Sequence, residues 1–298
     1  MSQAQEFSRM SSPAHDVVAR PWLQPARLVA ALFDAFPRLS ARFLADRFLV
    51  PWTKIPGLEA DHGPLETLTL DGRRAVAHVF GQGPLVILCH GWAGSGAQLL
   101  ELGRTIAERG FRAAVFDAPA HGSASGRSTH ALEFARFIEL LSERYGPAIA
   151  LVGHSLGGLA CALAAERVRP RALVLVAPMP SLDFALDNFQ RKVGFSDVVR
   201  ARLLEEVIQR AKVEPKGSRV EPALLAAERA LLIHDRRDRH IPVEVSRDLS
   251  RRIPSSQYVE TEGLGHGRVL ADPTIQEHIA SFLLQLSRQD DAVSSRER

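Results

Sequence analysis

Residues 149–165 read IALVGHSLGGLACALAA, and the rest of the chain is organised around them. Ala148–Val152 is a continuous apolar run of the kind a fully buried strand carries. Leu156–Glu166 is rich in alanine and leucine, which favour helix. Strand and helix therefore meet across Gly153-His154-Ser155-Leu156-Gly157. So short a turn needs close backbone approach, and Gly153 and Gly157 have no Cβ to prevent it. Ser155 is left at the apex, where a non-glycine residue is strained, and strain of that kind collects at functional sites.

The flanking segments repeat the strand-then-helix rhythm. Glu66–Phe80 reads ETLTLDGRRAVAHVF, two strand-like runs joined at Asp71-Gly72, a hairpin signal. Apolar strand patterns follow at Leu85–His90, Ala113–Asp117, Ile149–Gly153, Ala172–Ala177, Ala230–His234 and Tyr258–Thr261. Helical patterns lie near Ala97–Arg109, Leu132–Arg144 and Ile275–Leu286. Near-continuous apolar strands alternating with helices predict an α/β fold, a mostly parallel central sheet covered by helices on both faces. The core is expected over residues 61–178 and 229–287. Between them, residues 179–228 show helical patterns around Phe184, Phe189, Val193 and Phe195 but no buried strand. They are expected to form a small helical cap insertion over the C-terminal edge of the sheet.

The ends differ in character. Residues 1–19 are polar and expected to be loose, as is the tail 288–298, RQDDAVSSRER from Arg288. Residues 20–60 form an N-terminal helical block. Leu28, Leu32, Phe33, Phe36, Leu39, Phe43, Leu44 and Phe48 recur at helical spacing, and Pro37 divides the pattern into two short helices. Arginines 20, 27, 38, 42 and 47 dominate its charge. The block is expected to pack on the core or to wall an entrance. The alternative for a basic amphipathic helix is a membrane surface.

Composition narrows the class. Apolar residues make up 46% and charged residues 24%, ordinary for a soluble globular protein, and the formal charge is only +3. No basic block is interleaved with aromatics, so nucleic acid is not an expected partner. Cys89 and Cys161 sit in apolar runs without metal-ligand spacing, which reads as two buried thiols and suits a reducing cytoplasm. The first residues lack the apolar region of a signal peptide, and no apolar run approaches the ~18 residues of a membrane span.

A serine hydroxyl is a poor nucleophile until an adjacent base takes its proton and an acid orients that base. In this architecture the order is serine, then acid, then histidine, each on a loop after a strand. The acid is expected in His234-Asp235-Arg236-Arg237-Asp238-Arg239-His240-Ile241-Pro242. Asp238 lies further into that loop and is chosen, with Asp235 read as a turn residue. The base is expected at His266, in the glycine-flanked Gly263-Leu264-Gly265-His266-Gly267. His78 reads as a strand residue and His278 as a helix residue. The oxyanion needs two preorganised N–H donors. Leu156 supplies one at a helix N-terminus, and Trp92 the other, within His90-Gly91-Trp92-Ala93-Gly94-Ser95-Gly96. His90, Gly91, Trp92 and His154 are expected to form the substrate pocket. A phosphate cradle does not fit this loop, since the lysine of G-x-x-x-x-G-K-[ST] is missing. By itself G-x-S-x-G arises by chance in roughly one chain in ten of this length.

The stretches HGW at 90–92, DAPAHGSASG at 117–126, GHSLGG at 153–158, HDRRDRHIP at 234–242 and GLGHGRVL at 263–270 occur in one order. Together they make the chain resemble the α/β-hydrolase superfamily over about residues 64–286. That resemblance implies Ser155 as nucleophile, Asp238 as acid, His266 as base and an acyl-enzyme, with no metal or organic cofactor. It also implies a small-molecule acyl substrate. The chain departs from the family at Asp235, where H-G-x-x-D has glycine. A second acid position known in the superfamily would fall to Asp183. A serine nucleophile argues against dehalogenase chemistry, which in this superfamily uses aspartate. The expected function is a serine hydrolase cleaving a carboxylic ester of small or medium acyl chain. Alternatives are a thioesterase, amidase or acyltransferase with the same triad, a non-catalytic small-molecule receptor, or a lipid hydrolase held to a membrane by residues 20–56.

Overall fold

Eight strands form one sheet in the order β1-β2-β4-β3-β5-β6-β7-β8. They are β1 (Glu66–Leu70), β2 (Arg73–Gly81), β3 (Leu85–Cys89), β4 (Arg112–Asp117), β5 (Ala148–His154), β6 (Ala172–Val176), β7 (Arg229–Asp235) and β8 (Ser256–Thr261). This computed structural model describes residues 31–59, 63–211 and 219–294, with side chains through residue 286. The stretch 1–19, the first part of the N-terminal block with Arg20, Arg27 and Leu28, and residues 295–298 lie outside the described residues.

Strands β3 to β8 pair in parallel, and β1 and β2 add an antiparallel edge. The edge hairpin turns at Asp71 (φ 48°) and Gly72 (φ 74°). Positive φ at both central residues matches the twist of the flanking strands.

The apolar runs are continuous because each central strand is buried on both faces. Ile87 of β3 joins Leu151, Leu173 and Leu232 beneath α3 (Ala131–Tyr145) and α4 (Leu156–Val168). Its neighbours Val86 and Leu88 join Val152, Val174 and Leu231 beneath α2 (Leu100–Glu108) and α10 (Pro273–Ser294). Successive strand side chains point to opposite faces, so helices on both sides require unbroken apolar strands. Helix α10 runs to Ser294, well past Arg288, where the sequence was expected to loosen. No glycine or proline lies between Leu286 and Ser294 to stop it.

Between β6 and β7 the chain leaves the sheet for α5 (Leu182–Val193), α6 (Asp197–Ala211) and α7 (Glu221–Ala226). Leu186, Phe195, Val199, Leu203 and Val207 there form a separate apolar cluster with Ala41, Leu44, Ala45 and Leu49 of α1 (Pro37–Leu49). Phe48 and Phe189 meet with ring centroids 5.4 Å apart. Arg210 bonds the Asp46 carboxylate and, at 3.1 Å, the Arg42 carbonyl. The described part of the N-terminal block thus packs mainly against the helices that follow β6. Residues 31–35 are helical, residue 36 is not, and α1 begins at Pro37, as the proline requires.

Candidate active site

Ser155 stands between β5 and α4 with φ 53° and ψ −118°, a conformation that costs a non-glycine residue of order 1–3 kcal/mol. Its amide donates to Val176 O and its carbonyl accepts from the Met179 amide, both at 3.0 Å, so the apex is pinned to the neighbouring strand. A Cβ on Gly157 would lie 2.3 Å from the Cys89 carbonyl oxygen, and one on Gly153 would lie 2.5 Å from the Gly157 oxygen. The glycines are therefore required by backbone approach. Serine at a helix N-cap usually spends its oxygen on the first turn. Here the hydroxyl makes no such bond, leaving it to face the cavity that Ser155 lines.

His266 lies in α9 (Gly265–Arg268), directly after the loop that leaves β8, with α8 (Glu244–Arg252) between β7 and β8. Its Nδ1 lies 2.6 Å from Asp238 Oδ2. A carboxylate only accepts, so Nδ1 carries the proton and Nε2 is the basic nitrogen. The Asp238 carboxylate is buried, and its Oδ1 accepts the amides of His240 (2.7 Å) and Ile241 (3.0 Å). The buried His234 ring also brings its Nε2 to 3.3 Å from Oδ2. Burial pushes the Asp238 carboxyl up. The hydrogen bonds from His234, His266 and the Ile241 amide outweigh it and hold the group well below the usual carboxylate range.

Asp235, expected to be a turn residue, does more. Its Oδ2 accepts from Thr261 Oγ1 at 2.8 Å and the Leu264 amide at 2.9 Å, and its Oδ1 accepts the Arg237 amide at 2.9 Å. It ties the Asp238 loop to the His266 loop. Burial opposes ionisation, but the Gly265 and Leu264 amides and the Thr261 hydroxyl lower its pKa to about 2. Asp183, the alternative acid, sits exposed on α5 and pairs with Arg200 at 3.1 Å. It is not brought to this cluster.

The loop after β3 is fixed by buried polar groups. His90 Nδ1 donates to Gly91 O (2.8 Å) and its Nε2 accepts the Ala118 amide (3.1 Å). His121 Nδ1 donates to Pro119 O (3.1 Å) and its Nε2 accepts the Ala93 amide (2.9 Å). Both rings are thus neutral with defined tautomers. Burial pulls His90 to about 4, and burial with the nearby His90 pulls His121 to about 3. Asp117 accepts the amides of Gly96 (2.7 Å), Leu58 (2.8 Å) and Ser123 (2.8 Å). The Trp92 amide has no acceptor among the described residues. Leu156 opens α4, so its amide has no intrahelical acceptor either.

Ser155, Leu156, Trp92 and His266 line one cavity of about 350 Å³. Leu159, Leu163, Met179, Phe48, Leu49 and Phe189 give it a largely apolar wall, contributed by both the sheet-covering helices and the outer layer. His90, Gly91 and His154 were expected in the pocket, but of that set only Trp92 lines it. His90 is turned inward by its two backbone bonds. His154 is spent on the His266 carbonyl, to which its Nε2 donates at 2.8 Å. Burial and the adjacent His266 ring hold His154 neutral, with its pKa lowered to about 3. Among the described residues, no three His, Cys, Asp or Glu side chains are grouped to hold a metal ion.

Asp117 and His121 were not singled out from the sequence, although both fall in the quoted DAPAHGSASG stretch. The signal was an aspartate at the end of a strand with a histidine four residues on, but the partners Leu58, Gly96 and Ala93 are distant in the chain.

A family model described as alpha/beta hydrolase fold matches residues 84–215, and one described as TAP-like protein matches residues 198–294. The chain belongs to the α/β-hydrolase superfamily. The pimeloyl-[acyl-carrier protein] methyl ester esterase of Vibrio campbellii is 24% identical over 249 residues, covering 70% of this chain and 94% of that protein. Among solved structures, the Pyrococcus furiosus esterase Pf2001 superposes with a TM-score of 0.59 at 17% identity, covering 78% of this α/β hydrolase and 98% of that chain. A thioesterase domain from the curacin biosynthetic pathway superposes with a TM-score of 0.54 at 18% identity, covering 74% and 99%. At these identities the structural likenesses speak for the fold alone, and one fold carries several acyl chemistries.

Proposed function

We propose that this α/β hydrolase is a serine hydrolase cleaving a carboxylic ester of small or medium acyl chain through an acyl-enzyme on Ser155. The observation that carries the reading is the 2.6 Å bond from His266 Nδ1 to the buried Asp238, at a cavity that also holds the uncapped Ser155 hydroxyl. An ester hydrolase is supported further by the methyl ester esterase among its relatives.

The mechanism follows from the proton positions. Nε2 of His266 takes the Ser155 Oγ proton as Oγ attacks the ester carbonyl. Asp238, ionised at neutral pH, stabilises the imidazolium that forms. The carbonyl oxygen becomes an oxyanion and accepts from the Trp92 and Leu156 amides, donors of a kind worth about 10²–10³ in rate each. The imidazolium protonates the leaving alkoxide, and the acyl group stays on Ser155. Water, deprotonated by Nε2, then attacks the acyl-enzyme, and the proton returns to Oγ as the acid leaves. The helices between β6 and β7 act as a cap with α1. A cavity of about 350 Å³ lies at the small end of the ~300–1,000 Å³ usual for ligand pockets, which favours short and medium acyl groups.

The test is hydrolysis of nitrophenyl esters from two to twelve carbons. Wild type is expected to turn over the shorter members. Ser155→Ala is expected to lose at least about 10³-fold in kcat with its fold intact. Turnover that survives the substitution overturns the assignment. Turnover of acyl thioesters or amides in place of esters would move the reading to those acyl groups with the same residues.

A further inference from the structure

Large apolar side chains are exposed in one place above all. Leu32, Phe36, Leu39, Phe43, Val50 and Trp52 lie within a short N-terminal stretch, while only Val198 and Leu225 are comparably exposed elsewhere among the described residues. Of the first four, Leu39 and Phe43 lie four apart on α1 and share one stripe of that helix, while Leu32 and Phe36 precede it at and before the break at residue 36. All four are 49–65% exposed. The opposite side of α1, with Ala41, Leu44 and Ala45, is buried against the helices after β6.

The charges around this stripe are sorted by sign. Asp34 accepts the Ser196 amide at 3.2 Å and Asp46 is bonded to Arg210, so both acids turn toward the body of the protein. Arg38 and Arg47 have no carboxylate partner among the described residues, and the Arg47 guanidinium lies 5.2 Å over the Phe43 ring. In the sequence, no acid occurs between Asp16 and Asp34, while Arg20 and Arg27 do. Trp52 links the outside to the inside. It is 71% exposed and also lines the cavity that holds Ser155, beside Phe48 and Leu49.

We propose that this face of the N-terminal block docks on an anionic lipid surface, delivering acyl-bearing molecules to the cavity from the interface. An aliphatic and aromatic stripe flanked by arginines fits the boundary between headgroups and acyl chains. Its unpaired cations fit anionic headgroups. A second copy fits less well. A two-fold contact would set like-charged arginines against each other and would cover Trp52 at the cavity mouth.

The experiment uses the full chain carrying Ser155→Ala, so that vesicle lipid is not consumed and binding is read independently of the proposed hydrolysis. Co-sedimentation is measured with vesicles of phosphatidylcholine alone and of phosphatidylcholine with an equal part of phosphatidylglycerol. Binding to the anionic vesicles is expected, about tenfold weaker without phosphatidylglycerol, and weaker by about fivefold in Arg38→Gln. The double variant Phe36→Asp/Leu39→Asp is expected to lose vesicle binding while keeping its circular dichroism. In the otherwise wild-type enzyme it is expected to keep hydrolysis of a short soluble ester. The proposal is overturned if the chain does not pellet with anionic vesicles, or if the double variant pellets equally well. It is also overturned if sedimentation velocity shows a dimer that this variant dissolves.

Discussion

The carboxylate of Asp235 accepts bonds from Thr261 Oγ1, the Leu264 amide and the Arg237 amide, and it does not line the cavity. Its effect on chemistry must therefore pass through where it holds His266. Asp235→Ala leaves a hydroxyl and two amides without their acceptor, each at about 1–3 kcal/mol. A displacement of about 1 Å at a reacting group costs about 10²-fold in rate. Asp235→Ala is thus expected to lower the urea midpoint and to lower kcat by about 10–100-fold, with KM little changed. Unfolding curves and steady-state kinetics on a short ester check this, and an unchanged kcat would remove Asp235 from the positioning of His266. The sequence marks Ser155, Asp238 and His266 because their signals are local: glycines on either side, a strand before, a fixed order. Asp117 carries no comparable mark. It joins amides at Leu58, Gly96 and Ser123, and the first is 59 positions away. Such a role is a property of the folded chain.

Helix α1 shows the same limit for a whole element. The central strands were legible because burial on both faces demands unbroken apolar sequence, as in Leu173-Val174-Leu175 of β6. The helical period likewise predicted helix around residues 37–49, but apolar residues lie on more than one side of it. Leu39 and Phe43 face outward while Leu44 is 2% exposed within the outer cluster. Periodicity shows that a helix has apolar faces without showing what covers each. The partner, α6, begins about 150 residues later in the chain. Truncating Leu44 to alanine should cost about 2–5 kcal/mol of local stability. Because the outer cluster is separate from the two that sandwich the sheet, the loss is expected as faster hydrogen exchange in α1 and α6, with β5 and β6 unaffected. Phe48 and Leu49 wall the cavity from α1, so KM for an octanoyl ester should rise more than KM for an acetyl ester. Equal changes for both esters would mean that α1 does not shape the acyl site.

Across the whole molecule, the neutral rings that hold the site also set its response to acid. His90, His121 and His154 sit near 4, 3 and 3 in the folded protein, against 6.5 for a free ring, with burial the leading cause in each. Well above pH 6.5 they are neutral whether the chain is folded or not, so they add no pH dependence there. Below it the unfolded chain takes up protons that the folded protein refuses, and stability falls as pH falls. Each ring contributes a slope of up to about 1.4 kcal/mol per pH unit until its folded pKa is reached. Asp235 and Asp238 act in a lower window. Their folded pKa values are depressed, so the stability they contribute is present above about 3.8 and is lost as pH falls below it. Acid unfolding is therefore expected to begin well above the carboxylate range, in the range where histidine titrates. The check is the urea unfolding free energy measured between about pH 6.5 and 4.5, in wild type and in His121→Gln. Removing one titrating ring should reduce the slope by up to about 1.4 kcal/mol per pH unit, whatever the substitution does to stability at neutral pH. An unchanged slope would mean that His121 is protonated in the folded protein. Its Nε2 would then donate and no longer accept the Ala93 amide, and the loop that presents Trp92 would lose that anchor at mildly acidic pH.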